Sequence, residues 1–281
     1  MRVLVVGCGY VGQLLAERLA GVGHDVFGLS RKPPEFGGRI VPIACDITRR
    51  DELKGIPRAY DAVINTASSS KGGAEEYRSV YFEGTRNLLA HLQFQKYIWT
   101  SSTSVYAQRD GSIVTEESPA EPISATSRIL RETEEVILKE GQGIILRLAG
   151  IYGPDRGHLF QQYVRGEARI HGEGGRWLNM IHREDAASAI MAALETGRAG
   201  EIYNVTDNEP VTECDFFMWL AQKLKRELPP NVSESDLGGR KRGVTSKQVS
   251  NRKLREQLGC AFVYPTFREG YASEISRLGL G

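Results

Sequence analysis

The sequence predicts an α/β fold: a doubly wound parallel sheet followed by a smaller C-terminal α+β region. Short apolar runs alternate with amphipathic stretches along the first half of the chain, a rhythm typical of a parallel sheet with helices on both faces. Glycine is abundant, with 31 of 281 residues, and several glycines stand at strand-to-helix turns. After Gly153-Pro154 the alternation stops and glycines cluster. The chain length therefore fits one large α/β unit with a smaller appendage.

Six short apolar runs are predicted to form the strands of the sheet. The first, Met1–Val6, is almost wholly apolar, as expected for a strand buried on both faces of a parallel sheet. The other five are His24–Leu29, Arg39–Ala44, Tyr60–Asn65, Lys96–Thr100 and Gly143–Leu148. Helices are predicted where apolar residues recur at helical spacing. They are Tyr10–Leu19, a long stretch through Leu88 and Leu89, and Ile129–Leu138.

The second half of the chain is predicted to hold fewer strands and more loops. Its regular elements are a helix over Arg183–Leu194, a strand over Glu201–Val205, a helix over Thr212–Leu224, and helices near Lys253 and Arg268. The polar stretch Glu227–Gly243 is predicted to be a mobile or substrate-covering loop. We therefore expect one domain over residues 1–153, with 178–205 returning to it, and a smaller region over 154–281.

Composition excludes several classes of partner. The formal net charge of +1 provides no field that would hold nucleic acid or an anionic membrane, and the short basic run 239–242 is typical of a solvated loop. No segment approaches the roughly 20 apolar residues of a membrane span, so we expect a cytoplasmic protein. The four cysteines and five histidines lack the spacing of a disulfide frame or a metal site.

The turn after the first strand reads Gly7-Cys8-Gly9-Tyr10-Val11-Gly12. It lies within a strand–helix–strand unit, the context in which a GxGxxG string indicates a dinucleotide-binding Rossmann domain. Gly7 permits the tight turn, Gly9 lets the backbone reach the pyrophosphate, and Gly12 lets the helix pack on the strand. The helix N-terminus, with Tyr10 and Val11 beside it, offers N–H groups to the phosphates. The alternative is a glycine turn with no ligand.

The end of the second strand bears on which nicotinamide cofactor binds. The sequence there is Gly28-Leu29-Ser30-Arg31-Lys32, with no carboxylate to accept the ribose 2′-hydroxyl of NAD. Ser30 and Arg31 instead favour NADP, because a guanidinium pairs with the 2′-phosphate; the alternative is a solvated basic loop. After the third strand, Asp46 is expected to accept from the adenine amino group and Ile47 to cover the ring.

Six segments, in chain order, carry a resemblance to a known family. They are Asp61-Ala62-Val63-Ile64-Asn65-Thr66-Ala67, Glu83-Gly84-Thr85-Arg86-Asn87-Leu88-Leu89, Ser101-Ser102-Thr103-Ser104-Val105-Tyr106, Leu146-Arg147-Leu148-Ala149-Gly150-Ile151-Tyr152-Gly153-Pro154, Ile181-His182-Arg183-Glu184-Asp185 and Tyr203-Asn204-Val205. Together they resemble the extended short-chain dehydrogenase/reductases of the NAD-dependent epimerase/dehydratase type over nearly the whole chain. The resemblance implies that Thr66 and Ala67 lie beside the cofactor. It also implies a small-molecule substrate such as a nucleotide-sugar.

The residues that perform proton chemistry in this family are replaced here. The family uses a tyrosine and, four residues later, a lysine that lowers the tyrosine pKa. Counting back from Glu132, Ser124 stands at the tyrosine position and Arg128 at the lysine position. A serine hydroxyl does not replace a phenol at neutral pH without a base, and an arginine is not deprotonated. Tyr81 replaces an asparagine that the family has in this helix. The family's glycine turn usually has the spacing GxxGxxG, whereas the turn in this chain is GxGxxG.

Three other side chains are candidates for the chemistry. Ser102 keeps the family spacing, three residues before Val105, and would donate to a substrate carbonyl or hydroxyl; the alternative is that it caps the strand end. Tyr106 is a nearby phenol that would replace the lost acid, although an aromatic residue there more often packs. His158 lies in the loop after Gly153-Pro154, and histidine is the residue type that titrates near neutral pH; the alternative is a surface histidine.

Two functions are open from the sequence. The first is an NAD(P)-dependent oxidoreductase or epimerase with a non-standard acid–base set, and the second is a non-catalytic NADP-binding sensor or regulatory protein. The missing pair favours the second, whereas the glycine turn and Ser102 favour the first. The resemblance also makes Arg242, late in the basic loop, a candidate to bind an anionic substrate; the alternative is that this loop is only a solvated surface. The resemblance also implies a homodimer, because this fold often pairs two helices across a dimer axis.

Overall fold

The computed structural model describes residues 1–69, 72–233 and 245–280. Its centre is a seven-stranded parallel sheet. The strands, labelled β1 to β7 along the chain, are Arg2–Val6, Asp25–Ser30, Val41–Ala44, Ala62–Asn65, Lys96–Ser102, Gly143–Leu148 and Ile202–Val205. Their spatial order is β3-β2-β1-β4-β5-β6-β7. The chain starts in the middle and winds outward on both sides, which confirms the predicted doubly wound sheet.

Side chains of β1 show why the strand sequences are apolar throughout. Val3 and Val5 belong to the hydrophobic cluster on one face of the sheet, whereas Leu4 and Val6 belong to the cluster on the other face. Successive strand residues point to opposite faces, so a strand covered on both sides needs an apolar residue at every position. Burial on both faces thus explains the continuous apolar runs in the sequence.

Helices cover both faces of this sheet. Labelled α1 to α10, they are Gly12–Gly21, Arg50–Leu53, Ala74–Tyr77, Gly84–His91, Ala125–Lys139, His158–Val164, Arg183–Thr196, Glu213–Leu224, Arg252–Leu258 and Phe267–Arg277. Leu15 of α1 and Ile190 of α7 pack on one face, and Leu88 of α4 and Ile137 of α5 pack on the other. A π-helical turn, Arg78–Glu83, joins α3 to α4. No helix among the described residues is long and apolar enough to cross a membrane.

The C-terminal part of the chain has its own hydrophobic cluster, centred on aromatic side chains such as Phe216, Phe267 and Tyr271. Short two-stranded pairs form outside the main sheet. They are Ile113–Val114 with Gln248–Val249, Gly150–Tyr152 with Met180–His182, Ile170–His171 with Asn231–Val232, and Trp177–Leu178 with Val211–Thr212. The predicted loop Glu227–Gly243 therefore contains a short strand, because residues 231–232 pair with a neighbouring segment. Residues 234–244 of that stretch lie outside the described residues.

Candidate functional site

A cleft of about 860 Å³ opens at the carboxyl ends of β1 to β6. The order of strands reverses there between β1 and β4, and ligands of open parallel sheets bind at such a reversal. The cofactor residues expected from the sequence come together in its lining: Gly7, Gly9, Tyr10, Val11, Gly12, Ser30, Arg31, Asp46, Ile47, Thr66 and Ala67. Residues that are far apart in the chain thus form one continuous surface.

The glycine turn at one wall of the cleft needs each glycine for a different reason. Gly7 has a φ of +89°, a conformation that L side chains rarely adopt. A Cβ on Gly12 would overlap the carbonyl oxygen of Gly7. A Cβ on Gly9 would meet no protein atom within 4 Å. The absence of a side chain at Gly9 therefore keeps space open in the cleft, as close approach of a pyrophosphate to the backbone requires.

The adjoining strand and helix fix this turn and make it electropositive. Thr66 Oγ1 donates to the carbonyl oxygens of Gly7 at 2.8 Å and Val6 at 3.1 Å, which ties the end of β4 to the turn. Helix α1 begins at Gly12 with no acidic side chain in its first turn. Its free N–H groups and the positive end of its dipole therefore face an anion without competition from a carboxylate.

The other end of the cleft carries the side chains expected around adenosine. Ser30 Oγ is buried and has no hydrogen-bond partner within the described structure, while Arg31 and Lys32 are exposed at the rim. Asp46 Oδ1 accepts from the N–H and the hydroxyl of Thr48, at 3.0 and 2.8 Å. Ile47 is buried against Gly84, where a Cβ would overlap it. The buried hydroxyl and the two cations would suit a phosphate group.

Tyr10 and the thiols along the cleft are poor acids. Burial raises the pKa of Cys8 to about 12 and that of Cys45 to about 11, so neither supplies a thiolate at neutral pH. Burial also raises the pKa of Tyr10 to about 12, and its hydroxyl donates to the carbonyl oxygen of Pro154 at 2.9 Å. The Tyr10 ring lies 4.9 Å from the Arg156 guanidinium carbon. Tyr10 therefore connects the glycine turn with the loop at Pro154.

Arg156 is a cleft residue that the sequence analysis did not single out. It lines the cleft beside Gly9 and Tyr10, and no ion pair joins it to a carboxylate within the described ranges. In the sequence Arg156 is one arginine in a glycine-rich loop, and nothing local marks it as a cleft residue. Its position in the cleft becomes evident only from its contact with the Tyr10 ring, which is distant in the chain. An unpaired guanidinium near the glycine turn adds positive charge for a phosphate.

The sequence candidates Ser102 and Tyr106 occupy different environments. Ser102 lines the cleft at the end of β5, and its Oγ accepts the N–H of Ser104 at 3.2 Å. It therefore caps the strand end and also faces the cleft. Tyr106 is fully buried and is not part of the lining. Its hydroxyl accepts from Arg147 at 2.8 Å and donates to Asn204 at 2.9 Å, which is a structural network within the core.

The structure places the remaining catalytic candidates away from the cleft lining. Ser124 is the N-cap of α5, where its Oγ accepts the N–H of Ser127 at 3.2 Å. Arg128 is exposed and donates to the carbonyl oxygens of Pro122 and Ile123. His158 is exposed at the first turn of α6. The substrate candidate Arg242 lies outside the described residues.

Tyr81 lies on the π-helical turn and lines the cleft. From the sequence it was identified only as the residue that replaces the family's asparagine. A helical pattern does not reveal a π turn, because the pattern extends through it with regular α spacing on both sides.

Within the ranges 1–69, 72–233 and 245–280, no three His, Cys, Asp or Glu residues are arranged to hold a metal ion.

The sequence profile of the NAD dependent epimerase/dehydratase family matches residues 3–206 of this chain. Protein YeeZ of Escherichia coli (strain K12) is 30% identical over 288 residues, which cover 94% of this chain and 96% of YeeZ. The YeeZ match spans nearly the full length of both proteins, and the residues 3–206 that match the family profile include the glycine turn and the end of β5.

Two solved structures have the same fold. The dTDP-glucose 4,6-dehydratase DesIV of Streptomyces venezuelae, solved with NAD bound, has a TM-score of 0.83 at 23% identity over 98% of this chain and 96% of DesIV. The UDP-glucuronic acid 4-epimerase of Bacillus cereus, solved in complex with NAD, has a TM-score of 0.79 at 21% identity over 99% of each chain. At these identities the likeness establishes the fold alone.

Proposed function

The chain belongs to the NAD-dependent epimerase/dehydratase family, and from this premise we propose that it binds a nicotinamide dinucleotide in the cleft and acts as an oxidoreductase or epimerase on a small molecule. The observation that carries the proposal is that Gly9, where a Cβ would meet no protein atom within 4 Å, lies in the lining of the cleft. Open space beside the backbone at this position would let a pyrophosphate approach the glycine turn closely.

The residues of the cleft fit such a cofactor along its length. Gly9, Gly12 and the start of α1 would hold the pyrophosphate, Asp46 and Ile47 the adenine, and Ser102 the nicotinamide end. A bound nicotinamide supplies a hydride donor or acceptor. The substrates named for DesIV and the Bacillus cereus epimerase are nucleotide-sugars, and we propose a substrate of this class.

We further propose that NADP is preferred over NAD. Ser30 Oγ is buried without a partner, and Arg31 and Lys32 flank it at the rim of the cleft. A 2′-phosphate would give the hydroxyl an acceptor and the arginine a bidentate partner.

Calorimetric titration tests this preference. Wild-type protein is expected to bind NADP at least several-fold more tightly than NAD, and Arg31→Asp to narrow or reverse the ratio. Arg39→Asp is the matched control, because Arg39 is exposed in the same β2–β3 connection but does not line the cleft. Equal wild-type affinities for NADP and NAD would remove the basis for this role of Arg31.

A second function, a non-catalytic NADP-binding sensor or regulatory protein, is favoured by one observation. The positions of the family's tyrosine and lysine are taken by Ser124, a helix cap, and Arg128, which bonds to backbone carbonyls. Single-turnover absorbance measurements with bound NADPH and a panel of carbonyl compounds, nucleotide 4-keto sugars among them, separate the two functions. Oxidation of NADPH faster than in protein-free buffer supports the enzyme, and its absence across the panel supports the sensor.

A further inference from the structure

Tyr81 is one of two phenols in the lining of the cleft, which also includes Thr100, Ser101 and Ser102 at the end of β5. We propose that the Tyr81 hydroxyl is the acid–base group of the active site, in place of the tyrosine that Ser124 replaces. The proposal rests on the enzyme function proposed above.

The backbone places Tyr81 by an unusual device. The helix that begins with α3 changes to π geometry over Arg78–Glu83 and returns to α geometry at Gly84. A π turn inserts one residue into a helix and re-aims the side chains on it, and such turns are frequent at functional sites. Among the described residues this is the one π-helical segment, and it carries a phenol into the cleft.

Neighbouring groups hold the Tyr81 side chain in a defined position. Its ring centroid lies 4.7 Å from that of Tyr77 and 6.3 Å from that of Trp99, and Trp99 leads directly into the cleft-lining end of β5. The backbone N–H of Ser69 donates to the Tyr81 hydroxyl oxygen at 3.3 Å. An N–H donated to a phenol oxygen stabilises the phenolate, and a packed ring fixes the geometry that proton transfer requires.

Two other tyrosines do not fit this role. Tyr10 also lines the cleft, but its hydroxyl donates to Pro154 and burial raises its pKa to about 12. Tyr106 is fully buried, and Arg147 and Asn204 occupy its hydroxyl. Among the tyrosines described, Tyr10 and Tyr81 line the cleft, and Tyr81 is the one whose ring also packs against Trp99 of β5.

Reduction of a substrate carbonyl group requires one proton at the carbonyl oxygen. A reduced nicotinamide, when bound, supplies the hydride that converts a substrate carbonyl carbon to a carbinol carbon. Tyr81 gives its Oη proton to the carbonyl oxygen, and the resulting phenolate takes a proton from water. Ser102 Oγ, which accepts from Ser104, donates a hydrogen bond to the same carbonyl oxygen. In the oxidative direction the Tyr81 phenolate removes the hydroxyl proton.

Carbon-13 NMR of protein labelled at tyrosine Cζ tests whether Tyr81 lies at the nicotinamide. Tyr81→Phe and Tyr77→Phe each remove one resonance and so assign both phenols. Addition of NADP⁺ to wild-type protein is expected to shift the Tyr81 resonance and to leave that of Tyr77 nearly unchanged, because Tyr77 is buried behind Tyr81 and does not line the cleft. An unmoved Tyr81 resonance at saturating NADP⁺ would overturn the proposal while leaving cofactor binding intact.

Kinetics test the proton transfer itself. With a substrate from the carbonyl panel, Tyr81→Phe is expected to lower kcat by about 100-fold or more, to flatten the pH profile of kcat, and to leave the Kd of NADP unchanged. Tyr77→Phe removes a hydroxyl from the same helix and is expected to keep the wild-type kcat. Full activity in Tyr81→Phe would refute the assignment. A wild-type protein that binds neither NADP nor NAD in calorimetry would instead contradict the proposed function.

Discussion

Gly9 and Gly12 belong to one motif but have different surroundings. A Cβ on Gly12 would overlap the Gly7 carbonyl and crowd Thr66 Oγ1, so a substitution there disturbs the contact between turn and helix. A Cβ on Gly9 would project into open space. The two positions therefore separate the folding role of the turn from its binding role.

Gly9→Val is expected to abolish binding of NADP and NAD while the protein stays folded. The valine side chain would fill space that the pyrophosphate needs, and its Cβ would meet no protein atom within 4 Å. Calorimetry measures the loss of binding, and circular dichroism and the thermal midpoint report the fold. Gly37→Val is the matched control, because a Cβ there also meets nothing within 4 Å but lies outside the cleft lining. A folded Gly9→Val protein with wild-type affinity would show that the turn binds no dinucleotide.

At the scale of elements, the start of α5 shows what Ser124, the residue predicted to stand at the family's tyrosine position, does in the fold. Ser124 caps the helix through the N–H of Ser127, and its hydroxyl also donates to Ser127 Oγ at 2.9 Å. Ser127 Oγ donates in turn to Ser104 Oγ at 3.1 Å. This chain of hydroxyls connects α5 with the turn after β5. Ser124 thus stabilises the start of α5 as its N-cap, and its correspondence with the family's tyrosine stays a prediction.

Ser124→Ala is expected to lower the free energy of unfolding by about 1 kcal/mol, because a lost N-cap leaves helix N–H groups without an acceptor. Affinity for NADP is expected to stay at the wild-type value, since Ser124 does not line the cleft. Urea denaturation and calorimetry measure the two quantities. Thr212→Ala, which removes the equivalent cap of α8, should give a similar loss of stability. A marked loss of NADP affinity in Ser124→Ala alone would place Ser124 in the site.

At the scale of the whole molecule, Asp207 lies where the main sheet meets the C-terminal region. Its backbone N–H donates to Met180 at 2.7 Å, and its carbonyl oxygen accepts from Asn251 at 3.1 Å. Burial raises the pKa of its carboxyl well above the ordinary value, although the Glu209 N–H acts in the opposite direction. The carboxylates of Glu209, Glu269 and Asp185 raise this pKa further. Asp207 in turn raises the pKa of two buried phenols, those of Tyr152 and Tyr271.

This raised pKa gives a pH dependence of stability with a definite sign. The folded protein retains the Asp207 proton at pH values where the unfolded chain has lost it, so stability falls as pH rises from about 4 through the folded pKa. Asp207→Asn stays neutral and is expected to match the wild type near pH 4 and to exceed its stability at pH 8. Urea denaturation at the two pH values measures the difference. A variant whose stability follows the wild type at both values would contradict the assignment to Asp207.

The fold followed from the sequence because its signals are local. Apolar runs such as Gly143–Leu148, which is buried throughout, mark strands covered on both faces, and the predicted strand Glu201–Val205 joins the sheet beside it. The start of α5 was placed four residues late, at Ile129, because Ala125 begins a polar first turn that apolar periodicity does not register. The division into residues 1–153 and 154–281 stays a prediction.

By itself, the sequence determined the doubly wound sheet, the glycine turn and the residues along the dinucleotide cleft. Each strand, turn and cleft residue can be recognised from its neighbours within its own strand–turn–helix unit. Only the tertiary structure decided which of the phenols line the cleft and which lie in the core. Tyr106 is occupied by Asn204, 98 residues away in the chain, whereas Tyr81 reaches the cleft through a π turn and a packed ring. Periodicity reports that a side chain is buried, but its partner and its direction depend on contacts between distant segments.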